Sequence, residues 1–580
     1  MSMEYMDKYK EWLSSPIIDD DTRKELESIK DDKVEIEDRF FKDLEFGTGG
    51  LRGVIGAGSN RMNIYTVGKA TQGLANYIKK QGVKAVEQGV AIAYDSRRMS
   101  KEFAEHAALV LNANGIKTYV YGELQPTPVL SFTVRELKTT AGIVITASHN
   151  PPQYNGYKVY WSDGGQIPPE RASEIIGEVD SISNFNDIKR MSKDEAREKG
   201  LFNIVDQKVL DKYVEKVKEL CINRDLVAQV GKDMKIIYTP LHGTGNKPVR
   251  RVLKELGFEH VEVVPEQEMP DPNFSTVSYP NPEDRDAFNL AIEKAKKEGA
   301  DLILGTDPDC DRVGVVVKDN RGEYIVLSGN QTGSLLVNYY LGAMHRQDNL
   351  PSNGKVIKTI VTSELGREVA KSYGIDTIDT LTGFKFIGEK IHEFEQNGDN
   401  VFLFGYEESY GYLAGDFVRD KDAVIASMLI CEMAAYYKSK GMTLYDGLEA
   451  LWGKYGCYLE ELKSVSLAGK EGMEKIKSTM DNLRNNVPES IDGVEVAVVE
   501  DYLKGEAVDI LGGNRKNIEL PKSNVLKFIM KDDSWFAVRP SGTEPKIKFY
   551  FSVIEDNLDS AKEKMSRVID EVMDKAGLSK

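Results

Sequence analysis

Three aspartates at alternate positions, Asp307, Asp309 and Asp311 in "GTDPDCDRVG", have the chemistry of a divalent-cation site. A hard ion such as Mg²⁺ takes a few carboxylate oxygens and keeps its other positions for water or phosphate. A lone Asp-x-Asp is ordinarily a solvated acidic turn. A third Asp, an apolar run before it and Arg312 beside it favour the metal reading, and an extended loop would turn all three carboxylates to one side. An EF-hand is excluded, since Arg312 stands where that loop needs glycine and Lys318 where it needs glutamate.

A second candidate is Ser148 in "TASHNPPQYNGYK", with Thr146, His149 and Lys158 nearby. The Asn150-Pro151-Pro152 turn is stiff and would hold a hydroxyl out at a strand end. Such a serine becomes a nucleophile only with a base or cationic partners, and otherwise it satisfies turn hydrogen bonds. "RPSGTEPKIK" offers Arg539, Ser541, Gly542, Thr543 and Lys546 as a phosphate cradle, or an ordinary turn between strands. In "GYEESYGY", Glu407, Glu408 and Ser409 supply acceptors for sugar hydroxyls, or the acidic first turn of a helix. "FGTGGLRG" reads as a glycine loop in which Arg52 faces an anion, and Lys385, Arg419 and Lys421 extend the basic inventory.

The elements that must position these groups repeat along the chain. Short apolar runs, "GVAIAY", "AGIVI", "MKIIY", "ADLILG", "KVIKTIV" and "NVFLFG", each end in a polar or glycine-rich stretch and lead into a helical pattern. Strands alternating with helices predict α/β domains, whose ligands gather at the carboxyl ends of strands. The most similar turns, after strands near 145, 238 and 361, predict three related units. From about 455 the pattern becomes that of a smaller α+β domain with an antiparallel sheet. Boundaries fall near 205, 325 and 455, behind a charged helical extension over residues 1–45.

At 580 residues the chain is too long for one core, and its 41% hydrophobic and 29% charged residues describe a soluble globular protein. A formal net charge of −17 disfavours nucleic acid or an anionic membrane as partner. The four cysteines form no CxxC pair, which suits a reducing cytosol and argues against disulfides or zinc. The start of the chain carries no apolar leader. The longest apolar run, "AVIASMLICEMAAYY", is interrupted by Glu432 and falls short of the roughly 18 residues a span needs.

Taken in order, "TASHNPPQYNGYK", "DPDCDR", "GYEESYGY" and "RPSGTEPKIK" resemble the α-D-phosphohexomutase superfamily. Within it the chain is most similar to the bacterial-type phosphoglucomutases and to the phosphoglucomutase-2/phosphopentomutase group, from about Phe46 to Phe551. The resemblance implies three related α/β domains with mixed sheets and a smaller C-terminal α+β domain around a central cleft. These would be 46–205 (phosphoserine loop), 206–325 (metal loop), 326–455 (sugar loop) and 456–580 (phosphate loop).

Carried over by residue, it implies a phosphoryl group on Ser148, with Mg²⁺ held by Asp307, Asp309, Asp311 and a phosphate oxygen on Ser148. Arg52, Lys158 and His149 would serve as acid, base or charge stabiliser. Glu407 and Ser409 would grip sugar hydroxyls, with Arg312, Thr382, Gly383, Lys385 and Lys421 as further substrate contacts. Arg539, Ser541, Gly542, Thr543 and Lys546 would hold the other phosphate. The implied reaction interconverts glucose 1-phosphate and glucose 6-phosphate through glucose 1,6-bisphosphate, in a cytoplasmic monomer or homodimer whose partners are small sugar phosphates.

The sugar loop has Glu-Glu-Ser-Tyr-Gly where bifunctional phosphomanno/phosphoglucomutases have Glu-Met-Ser-Gly-His. This leans toward glucose and leaves mannose and pentose phosphates open. The rival from another class is an aspartate-nucleophile sugar phosphatase with Asp307 as nucleophile and "GDFVRD" as its later acidic motif. It leaves the serine and phosphate loops unexplained. A non-catalytic sugar-phosphate binder is disfavoured because every reactive residue is present.

Overall fold

Runs of β-branched and aliphatic residues bounded by Gly, Pro and Asn make strands that are buried on both faces, and such strands need helices on both sides. The computed structural model describes residues 4–47, 49–467, 469–541 and 546–579. Two compact units emerge. The first comprises residues 1–328, 384–405 and 409–441, and the second residues 329–383, 406–408 and 442–580.

In the first unit, strands β1 (Gly50–Val54), β2 (Val90–Tyr94), β3 (Thr118–Val120), β4 (Ala141–Ile145), β5 (Tyr154–Trp161) and β6 (Phe202–Ile204) form a mixed sheet in the order β1-β5-β4-β2-β3-β6. Its centre, β4-β2-β3, is parallel, and β5 runs antiparallel to both β4 and β1. A second sheet contains β7 (Lys235–Thr239), β8 (His260–Val263), β9 (Leu302–Thr306), β10 (Val313–Lys318) and β11 (Tyr324–Leu327). Its order is β11-β10-β9-β7-β8, again with a parallel centre and an antiparallel return strand, β10.

The two sheets therefore share a plan in which β4–β5 corresponds to β9–β10, and β2 to β7. The related units expected from sequence are present, but the register of the repeat differs. The turn after Ile145 corresponds to the one after Thr306, and the turn after Thr239 to the one after Tyr94. "TPLHG" after β7 and "TSELG" after strand Gly354–Thr359 do occupy equivalent places in their sheets, whereas "TASHN" stands one strand over, after β4.

Two further readings are corrected. "GGLRG" is not a loop: Gly50–Val54 is a paired strand, with Arg52 opposite Gly156. Glycine is still required in this strand at Gly50, which has φ +140° and no room for a Cβ beside the Tyr157 carbonyl, and across from it at Gly156, where a Cβ would lie 2.5 Å from the Thr146 carbonyl and 2.9 Å from that of Leu51. "GYEESYGY" does not begin a helix either. Strand Val401–Glu407 is followed after three residues by strand Gly411–Ala414. Residue 205 follows β6, residue 325 lies inside β11, and residue 455 closes the helix Leu444–Tyr455.

The N-terminal extension forms three helices, Glu4–Ser14, Asp20–Ser28 and Lys33–Phe40. Tyr9, Trp12, Leu26, Ile36 and Phe40 pack with Ala57 and Tyr65, so the extension is joined to the first sheet domain by a core of its own. In the second unit, residues beyond 455 make an antiparallel sheet that includes Leu526–Met530, Trp535–Pro540 and Lys546–Glu555. No helix among the described residues is long and apolar enough to cross a membrane.

"AVIASMLICEMAAYY" lies in the helix Ala423–Ser439, buried on nearly every side, and Glu432 inside it accepts the Asn223 amide at 2.6 Å. Asp422 caps this helix, accepting from the Val424 and Ile425 amides and from the Tyr213 hydroxyl. Burial pushes its carboxyl up to about 7 against those hydrogen bonds. A carboxyl raised on folding gives stability that is present below its unfolded value and is lost as pH rises through about 7. Asp422→Asn, which keeps a capping oxygen, is expected to lose less thermal stability than the parent between about pH 5 and about pH 8. Melting curves across that range check it.

Candidate active site

Ser148 stands in the β4–β5 turn, and the three aspartates stand in the corresponding β9–β10 turn. Ser148 has φ +52°, a left-handed conformation that a serine adopts only when its surroundings hold it there. Its amide donates to Thr146 Oγ1 at 2.8 Å. Its side chain lies 2.8 Å from Asp307 Oδ2 and 3.1 Å from His149 Nδ1. A hydroxyl has one proton, so both contacts are satisfied when Ser148 donates to Asp307 and accepts from His149.

The metal loop is not extended. Cys310 takes φ +53°, and Asp307 Oδ1 accepts the Asp311 and Arg312 amides, each at 3.0 Å. This compact turn, rather than alternation along an extended chain, gathers one oxygen from each of the three buried aspartates to within 4.8 Å of one another. Asp309 Oδ1 and Asp311 Oδ1 are buried and accept no hydrogen bond among the described residues. Buried carboxylate oxygens left in this state are costly, and a hard divalent cation is what such a set fits.

Positive charge converges from other segments. Lys158 on β5 places Nζ 2.9 Å from Asp309 Oδ2 and 3.5 Å from Asp311 Oδ2, and Lys421 lies 2.9 Å from Asp311 Oδ2. Burial works against the Lys158 charge, but Asp309 and Asp311 outweigh it and raise its affinity for the proton. Lys158 is therefore an ammonium as it stands. Burial, then Asp309 and Asp311, push Asp307 well above the carboxylate range, whereas Lys158 overcomes burial to hold Asp309 below it. Desolvation, then Arg312 and Arg52, keep the His149 imidazole neutral near pH 7.

Sequence reasoning missed Arg97. Its guanidinium donates to the carbonyls of Ser148, Asn150, Pro151 and Tyr154, so one side chain fixes the whole serine turn. Asp95 supports it with an ion pair of 3.3 Å and by accepting its amide, and the Phe274 ring lies 4.9 Å below. Thr127, also missed, donates to Asp309 Oδ2 at 2.9 Å and so fixes the second aspartate. The signal was the Asp-Ser-Arg run closing "GVAIAYDSRR", placed at a strand end like the other loops.

Of the sequence-derived residues, Ser148, His149, Lys158, Asp307, Asp309, Asp311 and Lys421 converge within the first unit. Arg312 pairs with Glu283, and Arg52 is exposed on β1 with Nη1 3.5 Å from Asn150 Oδ1. Arg419 is buried against Glu395, at 2.8 Å, and Lys385 lies over the Phe386 ring. Ser409 also belongs to the first unit. Glu407, Thr382, Gly383, Arg539, Ser541 and Lys546 belong to the second unit, while Gly542 and Thr543 lie outside the described residues.

Models of the phosphoglucomutase/phosphomannomutase α/β/α domains I, II and III match residues 43–186, 211–322 and 328–455, and the C-terminal domain model matches 476–566. The chain belongs to this family. The "Phosphoglucomutase" of Staphylococcus haemolyticus is 40% identical over 524 residues, covering 90% of this chain and 92% of the relative. That of Staphylococcus aureus is 39% identical over 538 residues, covering 92% and 94%. Two solved structures share the fold. Paramecium parafusin, a phosphoglucomutase in its open form, has TM-score 0.70 at 19% identity, covering 92% of this chain and 95% of its own. A phosphoglucomutase/phosphomannomutase family protein from Burkholderia thailandensis has TM-score 0.65 at 19% identity, covering 92% and 97%. The protein is thus a member of a phosphotransferring isomerase family, with an acidic triad suited to its metal.

If Arg97 fixes the serine turn, its fork matters beyond its charge. Arg97→Lys keeps a cation beside Asp95 but cannot reach four carbonyls. It is expected to lower kcat about 10²-fold, the scale of an ångström-level misplacement, with an unchanged metal requirement. Steady-state kinetics over a metal titration check this.

Proposed function

We propose that this protein is a phosphoglucomutase that interconverts glucose 1-phosphate and glucose 6-phosphate through phospho-Ser148 and glucose 1,6-bisphosphate. The observation that carries the reading is the Ser148 hydroxyl, held in a left-handed turn 2.8 Å from one of three buried aspartates. Relatives named phosphoglucomutase at 39–40% identity over nine-tenths of the chain support the sugar.

In this scheme Ser148 carries the phosphoryl group and passes it to the free 6-hydroxyl of glucose 1-phosphate. The hydroxyl's proton goes to a base while the P–O bond to Ser148 breaks and an acid returns a proton to the departing Ser148 oxygen; the second transfer runs the same exchange in the opposite sense. The bisphosphate turns over and returns its 1-phosphoryl to Ser148, leaving glucose 6-phosphate. Asp307, Asp309 and Asp311 would hold Mg²⁺, which when bound supplies Lewis-acid stabilisation of phosphate charge. Phosphoryl transfer spreads charge over the equatorial oxygens, and catalysis is chiefly positioning and cationic stabilisation. Lys158 supplies one such cation, and Arg97 fixes the turn that presents the phosphoryl group. Glu407 and Ser409 would grip sugar hydroxyls, while Arg539, Ser541 and Lys546 hold the phosphate that is not reacting.

Asp307 is less suited to be the nucleophile of a phosphatase. Both its oxygens are taken, one by two backbone amides and the other by Ser148. The free, buried cysteines are consistent with a cytoplasmic setting.

After incubation with Mg²⁺ and glucose 1,6-bisphosphate, peptide mass spectrometry is expected to find phosphate on Ser148. Ser148→Ala should lose turnover by on the order of 10⁴-fold or more. Phosphate on Asp307 in a cold acid quench, or near-normal turnover of Ser148→Ala, would overturn the scheme. Parallel assays with mannose and pentose phosphates settle the sugar.

A further inference from the structure

Glu408 sits between the two residues read as gripping the sugar, and its carboxylate has another occupation. Its Oε2 accepts the hydroxyls of Thr359 at 3.0 Å and Thr362 at 3.2 Å, and those hydroxyls lie 2.8 Å from each other. Both threonines are fully buried, Thr359 closing strand Gly354–Thr359 and Thr362 in the turn that follows it. A carboxylate held by two buried hydroxyls is spent as an acceptor at that oxygen.

The threonine turn is itself fastened from two sides. Lys358, completely buried, donates to the Thr362 carbonyl at 3.1 Å and pairs with Glu364 at 3.0 Å and Asp379 at 3.1 Å. Lys527, from the C-terminal sheet, donates to the Ile360 carbonyl at 2.9 Å and rests 4.4 Å over the Trp535 ring. Lys527 stands opposite Ala537 in the sheet register. Arg539 follows Ala537 by two residues on the same strand, so Arg539 presents to the same face as Lys527. All of these residues lie within the second unit.

We propose that Glu408 is a positioning residue and not a sugar contact: it braces Glu407 against the Thr359–Thr362 turn, which Lys527 ties to the strand carrying Arg539. Glu407 and Arg539 are thereby held at a fixed spacing inside one body. Discrimination by that spacing bears on binding of the whole sugar phosphate and leaves the chemistry at Ser148 alone. The inference rests on the reading of Glu407 and Arg539 as substrate contacts.

The test compares Glu408→Ala, the paired Thr359→Val/Thr362→Val variant and their combination, with Glu408→Gln as a version that keeps one acceptor oxygen. For glucose 1-phosphate, Glu408→Ala is expected to raise KM about tenfold with kcat within about threefold. The threonine pair should do the same, and the combination should add nothing further. Glu408→Gln should recover most of the loss. Independently of turnover, hydrogen exchange of the peptide covering 401–410 should quicken in Glu408→Ala and in the threonine pair alike. A full additional loss when Glu408→Ala is placed on the threonine-less background would mean a direct sugar contact and overturn the proposal. Unchanged exchange in that peptide would overturn it too. If the parent protein turned over no sugar phosphate, the functional reading would fail, while the exchange measurement would still decide the brace.

Discussion

Three carboxylates buried within one turn are the constraint on which the first unit depends. Buried negative charge of this density is tolerated only if cations and hydrogen-bond donors surround it, since desolvation otherwise outweighs what the turn contributes. The donors come from far apart in the chain: Lys158 from β5, Thr127 from the start of a helix, Lys421 from the segment before another, and Ser148 from its own turn. A protein of formal charge −17 thus concentrates lysine where its own acids are least solvated. Docking of the two sheet domains in this unit and assembly of the site are coupled, because the contacts around the triad contribute to both.

Around that cluster the serine turn is rigid before any substrate arrives. Four carbonyls answer to one guanidinium, and the guanidinium is fixed by Asp95 and an aromatic face. A left-handed residue costs on the order of 1–3 kcal/mol, and the turn sustains it because so many bonds specify the conformation. Donors and charges already in place need no reorganisation when charge moves, which is the basis of electrostatic catalysis.

The sequence was most legible where chemistry is local. Ser148, the aspartates and the strands that end at them can be read from neighbouring residues, and so can the alternation of strands and helices. Arg97 and Thr127 could not be ranked in advance, because their roles lie in contacts with residues about fifty and about one hundred and eighty positions away. Non-local pairing also explains the misread Arg52 segment. Its glycines look like a loop until β5 supplies the partner strand. Glu408 shows the same limit on a smaller scale: acidic residues side by side read as one grip, but Thr359 and Thr362 assign one of them to support.

The shared place of the serine turn and the aspartate turn, each joining a parallel strand to its antiparallel return, has an evolutionary consequence. The address is set by the sheet, whose core packing is indifferent to what the turn contains. Within one scaffold, the same address presents a hydroxyl from one sheet and three carboxylates from the other. Using the same sheet plan twice therefore brings complementary groups to one place without a new fold. The later strand–turn–strand at Glu407 reuses the address for sugar recognition in the scheme above, and specificity can drift there while both cores stay as they are.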